Sequence, residues 1–303
     1  MKLNFDCVIV GAGVAGMTSA LYLKRAGLNV AIIEKNYVGG QINKTYTIQN
    51  YPGFLEIDGP TLSLNIKNQL DELKVPIIYQ EVIKIESSDK LKKVITTKEE
   101  YNTKTIIIAT GRTERKLNLS LEEELVGHGI SYCATCDGNF FKGEEVAVVG
   151  GGNTAMEDAL YLSNICPKVH LINRSSNFSK ADKILYEKVK NSKNINILTD
   201  CVVDTLEQKN GSLSGVILNN NQKLNIKGLF IAIGSVPDIE FLKSLELATD
   251  NNYIIVDEHM ETSISGIFAC GDIIKKDLYQ IITAASEGAI AANSVKKNLL
   301  ERW

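Results

Sequence analysis

Histidine is scarce in this chain of 303 residues: His128, His170 and His259 are the only three, and they lie far apart. Structural zinc takes four ligands, commonly from two closely spaced cysteine pairs or from a pair plus histidines at helical spacing. One such cysteine pair is present and no second, so a metal centre is not expected. Proline is rare, at five, while 44% of residues are hydrophobic and 23% charged, which excludes a disordered chain. Charge of one sign is also missing: Lys and Arg number 33 against 36 Asp and Glu, mixed along the whole length. No global field gathers phosphate backbones, and nucleic acid is not an expected partner. No apolar run reaches the length needed to span a bilayer. The start, "MKLNFDCVIVGAG", runs into a buried-strand pattern without a signal-peptide h-region, so a cytoplasmic location and no membrane partner are expected.

Cysteine is sparing too. Four of the six, Cys7, Cys166, Cys201 and Cys270, stand alone and read as small buried hydrophobes. Cys133 and Cys136, in "SYCATCDG", are spaced to react with each other. A staple across so short a loop would remove little unfolded-chain entropy, and it would gain less still in a reducing compartment. Redox chemistry is the better reading of the pair. Its sulfurs can close a disulfide with little backbone movement, and a thiolate near a helix N-terminus is stabilised.

What the chain does have is an internal repeat. "VIVGAGVAGMTSALYL" (8–23) and "AVVGGGNTAMEDALYL" (147–162) align without a gap, and each is followed by a second apolar run, "NVAIIE" and "KVHLIN". The order is strand, glycine turn, helix, strand, twice. Gly11 permits the tight turn, Gly13 lets the backbone approach a pyrophosphate and Gly16 packs helix on strand; in the second copy these roles fall to Gly150, Gly152 and Ala155. Two dinucleotide sites in one chain are implied. "TIIIATG" (105–111) and "GLFIAIG" (228–234) are buried strands ending in small-residue turns, and "GIFACGD" (266–272) is a third such ending before a C-terminal amphipathic helix. The expected fold class is therefore α/β: two Rossmann-like, three-layer dinucleotide-binding domains, the second (114–243) inserted in the first (1–113 and 244–303).

The motifs "GAGVAG", "GGQINKTYTIQNYPGF", "ATG", "CATCDG", "GGGNTAMEDA" and "ACGD" together resemble the low-molecular-weight thioredoxin reductases over essentially the whole chain. That resemblance implies FAD at the first glycine motif, a nicotinamide nucleotide at the second, a homodimer, and a cysteine pair that carries electrons from flavin to thioredoxin. Residue by residue it implies that Gly11, Gly13 and Gly16 hold the FAD pyrophosphate and that Glu34 accepts from the adenosine ribose. It implies further that Gly40, Gln41 and Asn50 line the flavin's polar edge, and that Asp272, with Thr110, Gly271 and Gln280, completes the FAD site. From the residues alone, Gln41 and Asn50 read equally as turn formers. Cys136 would be the inner sulfur, facing the flavin, and Cys133 the outer one that attacks thioredoxin. Asp137 would move the protons, a role compatible with its other reading as a helix cap. Rotation of one domain against the other would hinge near 112–118 and 242–248.

This chain departs from the family at the second site. Where NADPH-using members carry a histidine and several arginines, the segment reads "INRSSNFSKAD", and only Arg174 matches, with Lys180 one step out of register. Asn173 aligns with Glu34, so the carboxylate that would bind an NADH ribose is missing as well. Before "TAA" the family usually has Tyr-Arg-Gln, where this chain has Leu278, Tyr279 and Gln280. Relatives that have lost the nucleotide signature take electrons from reduced ferredoxin, and ferredoxin is the expected donor, with NADPH or NADH as the alternative. Lys275, Lys276, Lys296 and Lys297 are candidates for a basic surface facing an acidic ferredoxin. Trp303, the single tryptophan, could stack on a partner or the flavin. A non-catalytic reading, a flavin-bound redox sensor, stays open beside the enzyme.

Overall fold

A computed structural model describes residues 5–45, 47–88 and 91–302; Trp303 lies outside the described residues. The chain divides into two units, residues 1–113 with 237–303, and residues 114–236 between them.

The first unit is built on β1 (Phe5–Val10), α1 (Val14–Arg25) and β2 (Val30–Glu34), followed by α2 (Gly59–Glu72), β3 (Ile77–Tyr79), β4 (Val82–Ser87), β5 (Lys92–Thr96) and β6 (Glu100–Ile108). The sheet order is β3-β2-β1-β6-β5-β4, and the late strand Ile267–Ala269 also pairs with β6. β1 is parallel to both its neighbours, with Cys7 opposite Val30 and Thr105. It is therefore buried on both faces, which explains its unbroken β-branched run rather than an alternating one. α1, α2 and the closing helix Ile281–Arg302 cover one face, through Met17, Leu23, Leu70 and Val295 against Ile9, Ile32 and Phe268. β4, β5 and the 3₁₀ segment Glu240–Leu245 cover the other, packing Ile85, Val94, Leu242 and Leu245 on Val8, Ile106 and Ile108. Residues 240–243, placed in the inserted domain by the sequence reading, fall in the first unit with Leu242 in this core, and the adjoining Ser244 Oγ donates to the Ile85 carbonyl at 2.9 Å.

The second unit repeats the plan. Its sheet runs Ile195–Leu198, Lys168–Ile172, Glu145–Val149, Gly228–Ile231, Ile130–Ser131, all parallel. Helices Asn153–Ser163 and Lys183–Lys190 pack on one face, and the antiparallel strands Val203–Lys209, Ser212–Leu218 and Lys223–Leu224 on the other. Each unit thus has three layers, with helices on only one side. The chain crosses between units twice, and the short strands Thr113–Glu114 and Ser235–Val236 at these crossings pair with each other.

The contact between α1 and the closing helix positions the first glycine turn. Gly288 lets the helices meet: a Cβ there would lie 2.3 Å from the Ala15 carbonyl oxygen. Ser19 Oγ ties the crossing by donating at 2.9 Å to Ala15 and 3.0 Å to Gly288. The expected outcome of Gly288→Val is a destabilisation of about 3 kcal/mol, at the upper end of overpacking costs. Denaturant unfolding, which should show a lower midpoint at unchanged slope, checks it.

Candidate active site

The first glycine turn is shaped by close backbone approach. Gly11 sits at φ 104°, where a Cβ would come 2.5 Å from the Ala109 carbonyl oxygen; at Gly16 it would come 2.0 Å from the Gly11 carbonyl oxygen. Gly13, the N-cap of α1, is extended, carries no side-chain cap, and no acid follows in the first turn. The helix therefore presents its orphan N–H groups and positive end to an incoming anion, and nothing lies within 4 Å of where a Gly13 Cβ would be. Glu34 closes the far side: its carboxylate accepts from the Ala12 N–H at 2.8 Å and the Asn36 N–H at 2.9 Å. Gly39 N–H donates to the Ala12 carbonyl at 2.8 Å and brings Gly40 against the turn.

Other sequence-selected residues converge on the same unit. Asn50 Nδ2 donates to Gln280 Oε1 at 2.9 Å, joining residues 230 positions apart. Gln41 Nε2 donates to the Arg112 carbonyl at 3.0 Å. Asp272 accepts from Arg112 Nη2 at 3.0 Å and lies 3.5 Å from Lys276 Nζ, while the neighbouring Gly271 N–H donates to Glu287 at 2.9 Å. Burial lifts the Glu287 carboxyl above its ordinary range, opposed by Lys276, which donates to it at 2.8 Å. Two buried polar atoms here, Thr110 Oγ1 and Arg112 Nε, have no partner among the described residues. Sequence reasoning named Thr110 but passed over Arg112 and Glu287; the signal for Arg112 was a cation directly after the "ATG" turn.

The second turn copies the first in its backbone. Gly150 stands against the Ala232 carbonyl as Gly11 stands against that of Ala109, a Cβ there falling 2.3 Å away. Helix Asn153–Ser163 also starts at an extended, uncapped glycine, Gly152, with open space around it. Ala155, the counterpart of Gly16, is fully buried beneath this turn. The nucleotide-selecting edge differs. Asn173 is buried at 5% exposure, and its Nδ2 donates to the carbonyls of Ser175 at 3.1 Å and Asn177 at 2.7 Å, so the side chain closes its own loop. Arg174 is exposed, and Lys180 pairs by its backbone with Gly152.

Cys133 and Cys136 form a disulfide with Cα atoms 5.3 Å apart. Cys133 caps the one-turn helix Ala134–Asp137: its Sγ accepts from the Cys136 N–H at 3.2 Å and lies 3.4 Å from Thr135 Oγ1. The Cys136 N–H is thus aimed at the Cys133 sulfur. Cys136 is the more exposed of the two in this structure. Asp137 is tied to the pair through Ser131, whose hydroxyl donates to Asp137 Oδ2 at 2.6 Å and whose oxygen accepts from the Cys133 N–H at 3.0 Å. Ser131 lies in the quoted motif but had not been assigned a role. Buried Glu122 holds the preceding loop, accepting from the Leu117 and Leu119 N–H groups and from Tyr132 Oη at 2.7 Å.

The four single cysteines are buried. Burial, ahead of all other causes, pushes the Cys7 and Cys270 thiols up to about 12 and that of Cys166 to about 11. Among the described residues no cluster of three or more His, Cys, Asp or Glu could hold a metal, and no helix is long and apolar enough to cross a membrane. Of the lysines selected as a basic surface, Lys276 is only 10% exposed and held by Glu287, and Lys275 pairs with Asp250. Lys296 and Lys297 are exposed.

A reactive disulfide and two uncapped glycine-turn helices in one chain define a flavin-dependent disulfide oxidoreductase, and the comparisons agree. Residues 5–288 match the model of the pyridine nucleotide-disulphide oxidoreductase family, and the chain belongs to that family. It is 41% identical to a thioredoxin reductase of Ureaplasma parvum over 300 residues, covering 97% of this chain and 96% of the relative. The crystal structure of Lactococcus lactis thioredoxin reductase in its FR conformation superposes with a TM-score of 0.90 at 39% identity, covering 98% and 99% of the two chains. A ferredoxin-flavin thioredoxin reductase from Clostridium acetobutylicum is more distant, at 27% identity and a TM-score of 0.55, with 98% and 99% covered. The cofactor is FAD. The residues present fit it: a glycine turn open to a pyrophosphate, a free helix N-terminus, and the two buried polar atoms awaiting partners.

Two outcomes are expected. With the pair reduced, iodoacetamide at pH 8 should alkylate Cys133 and Cys136 and spare Cys7, Cys166 and Cys270, as read by peptide mass mapping. Ser131→Ala should slow single-turnover thiol–disulfide exchange about tenfold, part of the roughly 10²–10⁴-fold that positioned proton transfer supplies, while Ser131→Thr keeps most of the rate in stopped flow.

Proposed function

We propose that this chain is a thioredoxin-disulfide reductase in which electrons leave through Cys133 and enter from reduced ferredoxin. The observation that carries the exit is the N-cap position of Cys133, where its sulfur already accepts a backbone N–H.

In this reading unit one, residues 1–113 and 237–303, is the FAD-binding unit. Gly11, Gly13 and Gly16 admit the pyrophosphate, Glu34 receives the ribose, and Gly40, Gln41, Asn50, Thr110, Gly271, Asp272 and Gln280 line the remainder. Unit two carries the disulfide, and rotation of one unit against the other would hinge at the crossings near 113–114 and 236–237, since 242–248 packs within the first unit. Bound FAD supplies the electron pair. Two electrons and two protons convert the Cys133–Cys136 disulfide to a dithiol. The Cys133 thiolate attacks one sulfur of the thioredoxin disulfide, breaking that bond and forming a mixed disulfide. The Cys136 thiolate then attacks the Cys133 sulfur, re-forming the 133–136 bond and expelling the thioredoxin thiolate. The proton given up by Cys133 goes to the first thioredoxin sulfur released, and Asp137, held by Ser131, takes the proton of the Cys136 thiol as it attacks and passes it to the second. A homodimer and a cytoplasmic location belong to the same reading.

The donor rests on the second turn. Asn173 spends its amide on the Ser175 and Asn177 carbonyls, and Arg174 is the one remaining cation at a matching position, so neither a ribose diol nor a 2′-phosphate is well provided for. A second reading, NADPH or NADH as donor, is favoured by the open approach at Gly152 and by the greater similarity to thioredoxin reductases than to the ferredoxin-flavin enzyme.

Anaerobic mixing of the oxidised holoenzyme with each donor decides between them: reduced ferredoxin is expected to bleach the flavin absorbance within the turnover time. Rapid bleaching by NADPH or NADH with ferredoxin inert replaces the first reading by the second. Cys133→Ser is expected to retain the flavin spectrum and lose thioredoxin reduction; full turnover in that variant makes the disulfide a sensor rather than a relay.

A further inference from the structure

Arg112 follows the "ATG" turn at the end of β6 and is held from three directions within the first unit. Its carbonyl accepts from Gln41 Nε2 at 3.0 Å, and its Nη2 donates to Asp272 Oδ2 at 3.0 Å. Its guanidinium carbon lies 4.6 Å from the centre of the Tyr279 ring, which Lys276 Nζ also approaches at 5.3 Å. Its Nε is buried and has no acceptor among the described residues. Leaving a buried donor of a charged group unmet is costly. A planar fork locked by an ion pair on one edge and a ring on its face has no freedom to turn that donor to water. Among the described residues no acceptor meets it, which leaves the site open to a bound ligand's oxygen. Thr110 Oγ1, two residues earlier, is in the same condition.

We propose that Arg112 is an FAD-binding residue of this chain, its Nε donating to a cofactor oxygen while Asp272 and Tyr279 hold the guanidinium in place. The inference rests on FAD as the cofactor of the first unit. It accounts for the departure before "TAA", where Tyr279 stands in place of the usual arginine. The cation comes instead from the end of β6 and stacks on that tyrosine. Arg112 also shields Asp272, so its loss would leave that carboxylate facing the cofactor with Lys276 alone, 3.5 Å away. Extra negative charge beside a flavin disfavours its reduced, anionic form.

The test titrates FAD into apoprotein, followed by quenching of flavin fluorescence, with thermal unfolding of the same apoproteins in parallel. Wild-type apoprotein should take up FAD; if it does not, the flavin assignment itself fails, before any variant is considered. Arg112→Ala should raise the FAD dissociation constant about 10- to 100-fold, the equivalent of one hydrogen bond to a charged group. Its apoprotein should melt close to wild type, and the flavin of the reloaded protein should have a more negative midpoint potential. Arg112→Lys, which keeps the charge without the fork, should recover only part of the affinity. Wild-type affinity and potential in Arg112→Ala would overturn the proposal. So would a loss of affinity matched by an equal loss of apoprotein stability in both variants. Should Arg112→Ala not fold, Arg112→Gln is judged by the same criteria.

Discussion

The contact on which the rest depends is that of a glycine turn with a carbonyl of the neighbouring strand: Gly11 against Ala109 in the first unit, Gly150 against Ala232 in the second. Neither position tolerates a Cβ, and each holds the start of a helix at the edge of a parallel sheet with its N–H groups unmet. An uncapped helix end is a local cost. An anionic ligand can repay it, and in the first unit FAD is such a ligand; the second unit shares the same backbone frame.

Around this shared frame the units diverge in what they do with charge. In the first, Glu34 is anchored by two backbone N–H groups, and Arg112, Asp272, Lys276 and Glu287 form a connected set beneath the closing helix. In the second, the position of Glu34 is taken by Asn173, which turns inward and hydrogen-bonds its own loop. The disulfide sits on a different element again, a single helical turn after the edge strand Ile130–Ser131. Its surroundings are short-range hydrogen bonds: the Cys136 N–H donates to the Cys133 sulfur, Thr135 Oγ1 lies beside that sulfur, and Ser131 Oγ accepts from the Cys133 N–H.

Much of this was legible in the residues. The gapless repeat announced two strand–turn–helix–strand openings, and the structure contains both, with the glycines in the expected places. The spacing of Cys133 and Cys136 announced a closable pair, and they are bonded. Less legible was the stretch 240–243, because a short 3₁₀ turn has no periodicity and its membership is decided by where Leu242 finds apolar neighbours. The basic surface was misjudged at Lys276 for a similar reason: a lysine reads as solvated until a distant carboxylate, here Glu287, is folded against it.

Glycine turns, buried strands and the cysteine spacing are local properties, set by steric freedom and hydrophobic period within about twenty residues, and the sequence alone determined them. Which polar atoms end without a partner is not local. Arg112 Nε and Thr110 Oγ1 become unmet donors only once β6, the 271–279 segment and the closing helix pack together, and Asn50 meets Gln280 only across 230 residues. Tertiary structure decided these, because desolvation and pairing depend on what the whole fold brings within a hydrogen bond's reach.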